Sequence, residues 1–225
     1  MSALNRNQIA WRVAQDLPDG GVVNLGLGMP VLVSNYLPAD RDIFFQSENG
    51  LIGVGPQADE ASEDRNLVDA GSRRVTLREG ANVVDSIASF AMIRGGHIDV
   101  TILGAFEVAA NGDLANWDAR VPAKGPLVGG AMDLAVGAKA TWIMMQHNTR
   151  DGAPRLLETC TLPLTAPDCV KRIYTDIAVV DVTPDGFVAR DVLSTVGLDE
   201  LRARTAAAIT IAADCRALEA PEIAL

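Results

Sequence analysis

Histidine and cysteine are scarce in this sequence. The two histidines, His97 and His147, stand far apart, and no His/Cys/Asp/Glu run has zinc-ligand spacing, so no metal centre is expected. Three cysteines (Cys160, Cys169 and Cys215) are too few and of the wrong parity for a disulfide framework, and they read as buried free thiols in a reducing compartment. Basic residues are outnumbered 19 to 29, a net charge of −10, which argues against nucleic acid as a partner. An anionic small ligand would need local cations or backbone N–H groups. No Walker A sequence and no Gly-x-Ser-x-Gly elbow occurs. The polar start, residues 1–8, lacks the apolar core of a signal peptide. Residues 20–39 carry no charge, but four Gly, two Pro, two Asn and a Ser make a poor membrane-spanning helix. A soluble, cytoplasmic protein without membrane attachment is expected.

What is present is globular: 48% hydrophobic and 21% charged residues over 225 positions. Without repeats or low-complexity stretches, residues 1–218 read as one domain and 219–225 as a loose tail. Helical spacing of Ile9, Val13 and Leu17 predicts a first helix ended by Asp19-Gly20-Gly21. Short apolar runs at 22–25, 43–45, 99–103, 141–145 and 177–182 predict strands buried on both faces, as in a parallel sheet. Helices are expected at 30–36, 85–93 and 198–208, and glycine-rich loops at 53–56 and 125–130. This alternation predicts an α/β fold, a layered open sheet that is largely parallel. Ligands of such sheets sit outside the carboxyl ends of the strands.

Three segments could carry chemistry there. In Phe44-Phe45-Gln46-Ser47-Glu48-Asn49-Gly50-Leu51-Ile52-Gly53, an apolar strand runs into a polar turn with apolar residues beyond it. Glu48 is either a solvated turn acid or a carboxylate stripped of water, which raises its pKa or its nucleophilicity. In Val22-Val23-Asn24-Leu25-Gly26-Leu27-Gly28-Met29-Pro30, a strand meets a Gly-x-Gly turn and a Pro-started helix. It reads equally as an anion-binding turn or a tight connection. Val31 replaces the third glycine of a dinucleotide fingerprint, which disfavours a nicotinamide enzyme. The third segment, Gly129-Gly130-Ala131-Met132-Asp133-Leu134, is either an oxyanion-binding turn or a plain one. Arg65, Arg73, Arg74 and Arg78 cluster in an acidic chain, either as a solvated face or as cations for a phosphate-bearing ligand.

Together these segments resemble the B-type subunit of the class I CoA-transferases, the succinyl-CoA:3-oxoacid and 3-oxoadipate enzymes. The specific stretch is Phe45-Gln46-Ser47-Glu48-Asn49-Gly50-Leu51-Ile52-Gly53, similar to the family's active-site signature. Residues 24–30, 69–71, 90–99, 112–117, 129–134 and 160–165 support it, so the likeness covers roughly residues 5–205. The run 160–179 is closer to the 3-oxoadipate branch, while Glu107 and the insertion Pro126-Leu127-Val128 depart from many relatives.

The resemblance implies the layered CoA-transferase (ribose-5-phosphate isomerase-like) fold and makes Glu48 the nucleophile. Such a carboxylate, with a reference pKa of about 4.3, is ionised at neutral pH without a histidine to deprotonate it. It also implies backbone N–H groups of Gly130 and Ala131 for the oxyanions, and Asn24, Gly26, Gly28, Asn49 and Gly50 around CoA. Arg73 or Arg74 is assigned to the CoA phosphates from charge alone. CoA would be substrate and covalent intermediate, with no permanently bound cofactor. Succinyl-CoA would be the donor, and 3-oxoadipate or acetoacetate the acceptor. A CoA-transferase partner of the A type would complete the site, in a heterotetramer with two chains of each type. The competing reading is a non-catalytic metabolite-binding regulatory domain.

Overall fold

The computed structural model describes residues 3–61, 63–121 and 125–223. In chain order, its elements begin with α1 (Arg6–Asp16), β1 (Val22–Leu25), a 3-10 helix (Pro30–Asn35), β2 (Phe44–Ser47), β3 (Leu51–Gln57), β4 (Val75–Val83) and α2 (Ser86–Arg94). There follow β5 (Val100–Leu103), β6 (Glu107–Ala109), β7 (Leu114–Ala115), α3 (Ala131–Gly137), β8 (Ala140–Met144) and β9 (Leu156–Leu157). The last are β10 (Val170–Tyr174), β11 (Ala178–Thr183), β12 (Gly186–Leu193), α4 (Leu198–Ala203) and β13 (Ile209–Leu218).

Ten strands form one sheet in the order β13-β12-β11-β10-β8-β5-β1-β2-β3-β4, and β7-β6-β9 form a small second one. The central run β10-β8-β5-β1-β2 is parallel throughout. Hence β1, β2, β5 and β8 all end at the same edge of the sheet. Antiparallel pairings extend the sheet on both sides: β2-β3-β4 on one, β10-β11-β12 on the other. All four residues of β5 are buried, as the unbroken apolar run predicts for a strand covered on both faces. Asn5 starts α1 with a reciprocal cap: its side chain accepts from the Gln8 amide, and the Gln8 side chain accepts from the Asn5 amide, both at 2.9 Å. That helix buries Ile9, Ala10, Val13 and Ala14 against the sheet core.

Several expectations are corrected. Residues 53–56 lie inside β3, not in a loop; Gly53, at φ 85°, sits at a register slip, and a Cβ there would lie 3.0 Å from Ala81 on β4. The segment at 30–36 is a 3-10 helix, too rich in Val and too close to Pro38 for α-helical turns. The helix expected at 198–208 stops at Ala203, residues 204–208 form an irregular connection, and β13, the edge strand of the described sheet, begins at Ile209. Between β12 and β13 the register jumps: Ala189 faces Ile211, whereas Asp191 faces Arg216. Residues 219–223 are tied down, with the Pro221 and Ile223 carbonyls accepting from Gln8 and Asn5. Each cysteine is only partly buried, and burial pushes the Cys160 thiol up to about 12. Among the described residues no helix is long and apolar enough to cross a membrane, and no group of three or more His, Cys, Asp or Glu could hold a metal ion.

Candidate active site

Strand β2 delivers Glu48 to the common edge of the parallel strands, one residue beyond Ser47. The chain then reverses in a tight turn, closed by the Gly50 amide donating to the Ser47 carbonyl at 2.9 Å. Position 50 has to be glycine. Its φ is 116°, and a Cβ there would sit 2.1 Å from the Val84 carbonyl oxygen. Both neighbours of Glu48 are fastened to residues 68–70. Ser47 Oγ accepts from the Ala70 amide and Asn49 Nδ2 donates to the Val68 carbonyl, each at 2.8 Å. The turn is therefore anchored on both sides of the carboxylate.

The Gly129-Gly130 segment meets Glu48 at the start of α3. A Cβ on Gly130 would lie 2.7 Å from Glu48 Oε2 and 2.8 Å from Phe90 Cζ of α2. Only a glycine lets the backbone come so close to the carboxylate. Ser86, Ile87, Phe90, Arg94, Gly129, Gly130 and Asp133 line an open cleft of about 430 Å³ beside it. Arg94 holds Asp133 with two hydrogen bonds, Nε to Oδ1 at 2.7 Å and Nη2 to Oδ2 at 3.2 Å, which keeps Asp133 ionised below the usual carboxylate range. Glu48 is shifted the other way. Burial first, and then the Asp133 charge, raise its pKa. A carboxylate short of both water and cations is a stronger base and nucleophile than one in solution.

The other expected site residues divide. Gly26 continues the sheet, its amide donating to the Ile102 carbonyl at 2.9 Å, and a Cβ there would strike Leu103. Gly28 has φ 97° and open space around it, as a turn glycine facing outward. Asn24 is fully buried, with its amide committed inside the sheet. The structure gives it no exposed atom with which to meet CoA. Arg73 is engaged as well: Nε pairs with Asp69 at 2.8 Å and Nη2 donates to the Val31 carbonyl at 2.7 Å. Arg74 reaches the Arg65 carbonyl on the surface. Glu107 accepts from the Thr161 amide, the Thr161 hydroxyl and the Leu162 amide, a carboxylate clamp on that loop. Sequence reasoning missed Phe90, Arg94 and Asp133 as cleft residues. The signal for the ion pair was faint, an arginine in the last turn of α2 and an aspartate in the first turn of α3.

The coenzyme A transferase family model matches residues 6–195. The B-type chain of the 3-oxoadipate CoA-transferase of Acinetobacter baylyi is 48% identical over 206 residues, 92% of this chain and 95% of that one. The chain belongs to the coenzyme A transferase family. Within it, this is a B-type subunit of class I. The beta chain of the acetate CoA-transferase of Escherichia coli K12 is 42% identical, over 93% of this chain and 95% of its own. Among solved structures, an acyl-CoA transferase from Escherichia coli O157:H7 superposes with a TM-score of 0.75 at 17% identity, covering 97% of this chain and 44% of that one. This likeness is one of fold, and it sets a CoA-transferase layered sheet behind the Glu48 edge.

Proposed function

We propose that this chain is the catalytic half of a 3-oxoacid CoA-transferase that carries CoA covalently on Glu48. The observation behind the proposal is the meeting of a half-buried carboxylate of raised pKa with the Gly130 backbone, at the edge where the parallel strands end. A Glu48 oxygen attacks the thioester carbonyl of the donor, succinyl-CoA, and the tetrahedral intermediate expels the CoA thiolate, leaving a mixed anhydride. The thiolate attacks the glutamyl carbonyl and releases succinate, so that Glu48 is now a thioester of CoA. The acceptor carboxylate attacks that thioester and displaces the thiolate, which then takes the acceptor acyl group and frees Glu48. No water and no net proton are consumed. Amides of Gly130 and Ala131 receive the oxyanions, each such donor contributing about 3–4 kcal/mol. Two covalent half-reactions require ping-pong kinetics.

The acceptor favoured is 3-oxoadipate, on the strength of the 48% identity to B-type chains of 3-oxoadipate CoA-transferases. Arg94, the basic residue lining the cleft, is neutralised by Asp133, so the cation for the second acceptor carboxylate falls to a partner chain. That partner is the A-type subunit, in a complex of two chains of each type. Ile87 on α2 and Met132 and Val136 on α3 stand exposed on the two helices that border the cleft, and apolar Val128 leads into it, 84% exposed. Incubating the heteromeric complex with succinyl-CoA and digesting it should give a CoA adduct on the Glu48 peptide by mass spectrometry. A Glu48→Gln complex that transfers CoA at the wild-type rate overturns the mechanism. Reversible metabolite binding with neither adduct nor transfer would instead identify a regulatory domain. Comparing kcat/KM for 3-oxoadipate and acetoacetate decides the acceptor.

A further inference from the structure

Four polar side chains are buried beneath the Glu48 turn, and each is bonded to the next. The Thr101 hydroxyl on β5 donates to Asn24 Oδ1 on β1 at 3.1 Å. Asn24 Nδ2 donates to Gln46 Oε1 on β2 at 2.5 Å, and Gln46 Nε2 donates to Ser89 Oγ on α2 at 2.7 Å. All four are 0–1% exposed. Four buried polar groups where apolar ones would pack are expensive unless every link is made, and once made they fix one geometry. The chain also has a direction. Asn24 Nδ2 also reaches the Gln46 backbone carbonyl, which can only accept, at 3.3 Å; this turns the Asn24 amide nitrogen towards Gln46, so its Oδ1 takes the Thr101 hydroxyl and the Gln46 nitrogen is left for Ser89.

We propose that this relay positions the reacting carboxylate, with Gln46 as its central positioning residue; the inference rests on Glu48 being the nucleophile. Gln46 sits in β2 and Glu48 lies two residues further on, at the start of the tight turn that ends the strand, so the position of Gln46 bears on where the turn begins. Gln46 is bonded to Ser89, whose neighbour Phe90 borders the same Gly130 position that Glu48 touches. The relay thus sets the distance between β2 and α2 beside the carboxylate, and with it the spacing of Glu48 from the Gly130 backbone. Angstrom-scale misplacement of a reacting group is enough to cost one to two orders of magnitude in rate.

The test uses the heteromeric complex with Gln46→Met, Ser89→Ala and Thr101→Val, each checked for assembly and thermal unfolding. Single-turnover formation of the Glu48–CoA adduct from succinyl-CoA is followed together with steady-state kcat and KM. Gln46→Met and Ser89→Ala should slow adduct formation and kcat roughly 10- to 100-fold, with KM within twofold of wild type. Thr101→Val, at the far end and of the same shape, should lower kcat about threefold, an effect that weakens with distance along the chain. Should Gln46→Met fail to assemble, Thr101→Val decides alone, and an unchanged kcat for it overturns the relay. An assembled Gln46→Met complex forming adduct at the wild-type rate, or losing only KM, likewise overturns the relay and leaves the nucleophile standing. A wild-type complex that transfers CoA without any Glu48 adduct overturns both.

Discussion

The Oε2 oxygen of Glu48 lies where any side chain on Gly130 would have to begin, 2.7 Å from the position of its Cβ. Gly130→Ala should therefore abolish most activity without unfolding the chain. The added methyl displaces Glu48 or Phe90, and the expected loss in kcat is about 10²–10³-fold, the size of a lost oxyanion donor. Adduct yield on Glu48, measured beside a melting curve, checks it. Near-normal kcat would show that the Gly130 backbone takes no part.

Reaction requires an ionised Glu48, and burial and Asp133 both raise its pKa. The acid limb of kcat/KM should fall off at a higher pH than a solvent-exposed glutamate would give. Asp133→Asn removes the repelling charge and frees the Arg94 guanidinium, so both changes favour the Glu48 anion. The limb should move to lower pH. A pH–rate profile that stays in place, or moves upward, contradicts this placement of Asp133.

Stability should depend on His147. Its ring is fully buried between the Thr175 and Thr205 hydroxyls, at 3.1 and 3.0 Å, and burial, aided by Arg204, lowers its pKa to about 4. The unfolded histidine, near 6.5, takes up its proton first, so stability is complete above that pH and declines as pH falls towards 4. The decline amounts to about 3 kcal/mol at 1.36 kcal/mol per pKa unit. Urea midpoints at pH 7.5 and 4.5 would show it, and His147→Gln should flatten the histidine part of the difference.

Assembly with the partner should be sensitive to the apolar rim of the cleft. Ile87 is 81% and Val136 69% exposed. Ile87→Asp or Val136→Asp places an unpaired charge in any interface built there, at a cost of about 2–5 kcal/mol. Light scattering of the mixed chains should then show dissociation, while the isolated variant melts as the parent does. An intact complex would place the partner elsewhere.

The apolar strands and the Glu48 turn were legible because each is local: an unbroken hydrophobic run, then a polar turn with a glycine. Strand β3 was hidden because its glycines and Pro56 look like a loop, although Gly53 marks a slip within a strand. The helix was read too far because Ala206-Ala207-Ala208 has strong helix propensity, and β13 beyond it was hidden because at a sheet edge few side chains are buried to reveal alternation. Asn24 was placed against CoA because the resemblance makes its loop the coenzyme-contacting one. Its partners, Thr101 and Gln46, lie 77 and 22 residues away, and only the strand order brings them together. Gln46 itself carried a readable clue, an uncharged amide beside Phe45 inside a buried strand.

The jump in pairing along β13 bears on how the molecule keeps to itself. Among the described residues no strand lies beside its outer backbone, and ten residues offer a long row of amides and carbonyls. Residues 212–215 of that strand stand opposite a single residue of β12, so the row loses its even spacing near the middle. Asp214 and Arg216 put opposite charges beside the break. A broken register with charges beside it is a poor template for an added strand, the kind of feature by which sheet edges are kept from pairing with other chains.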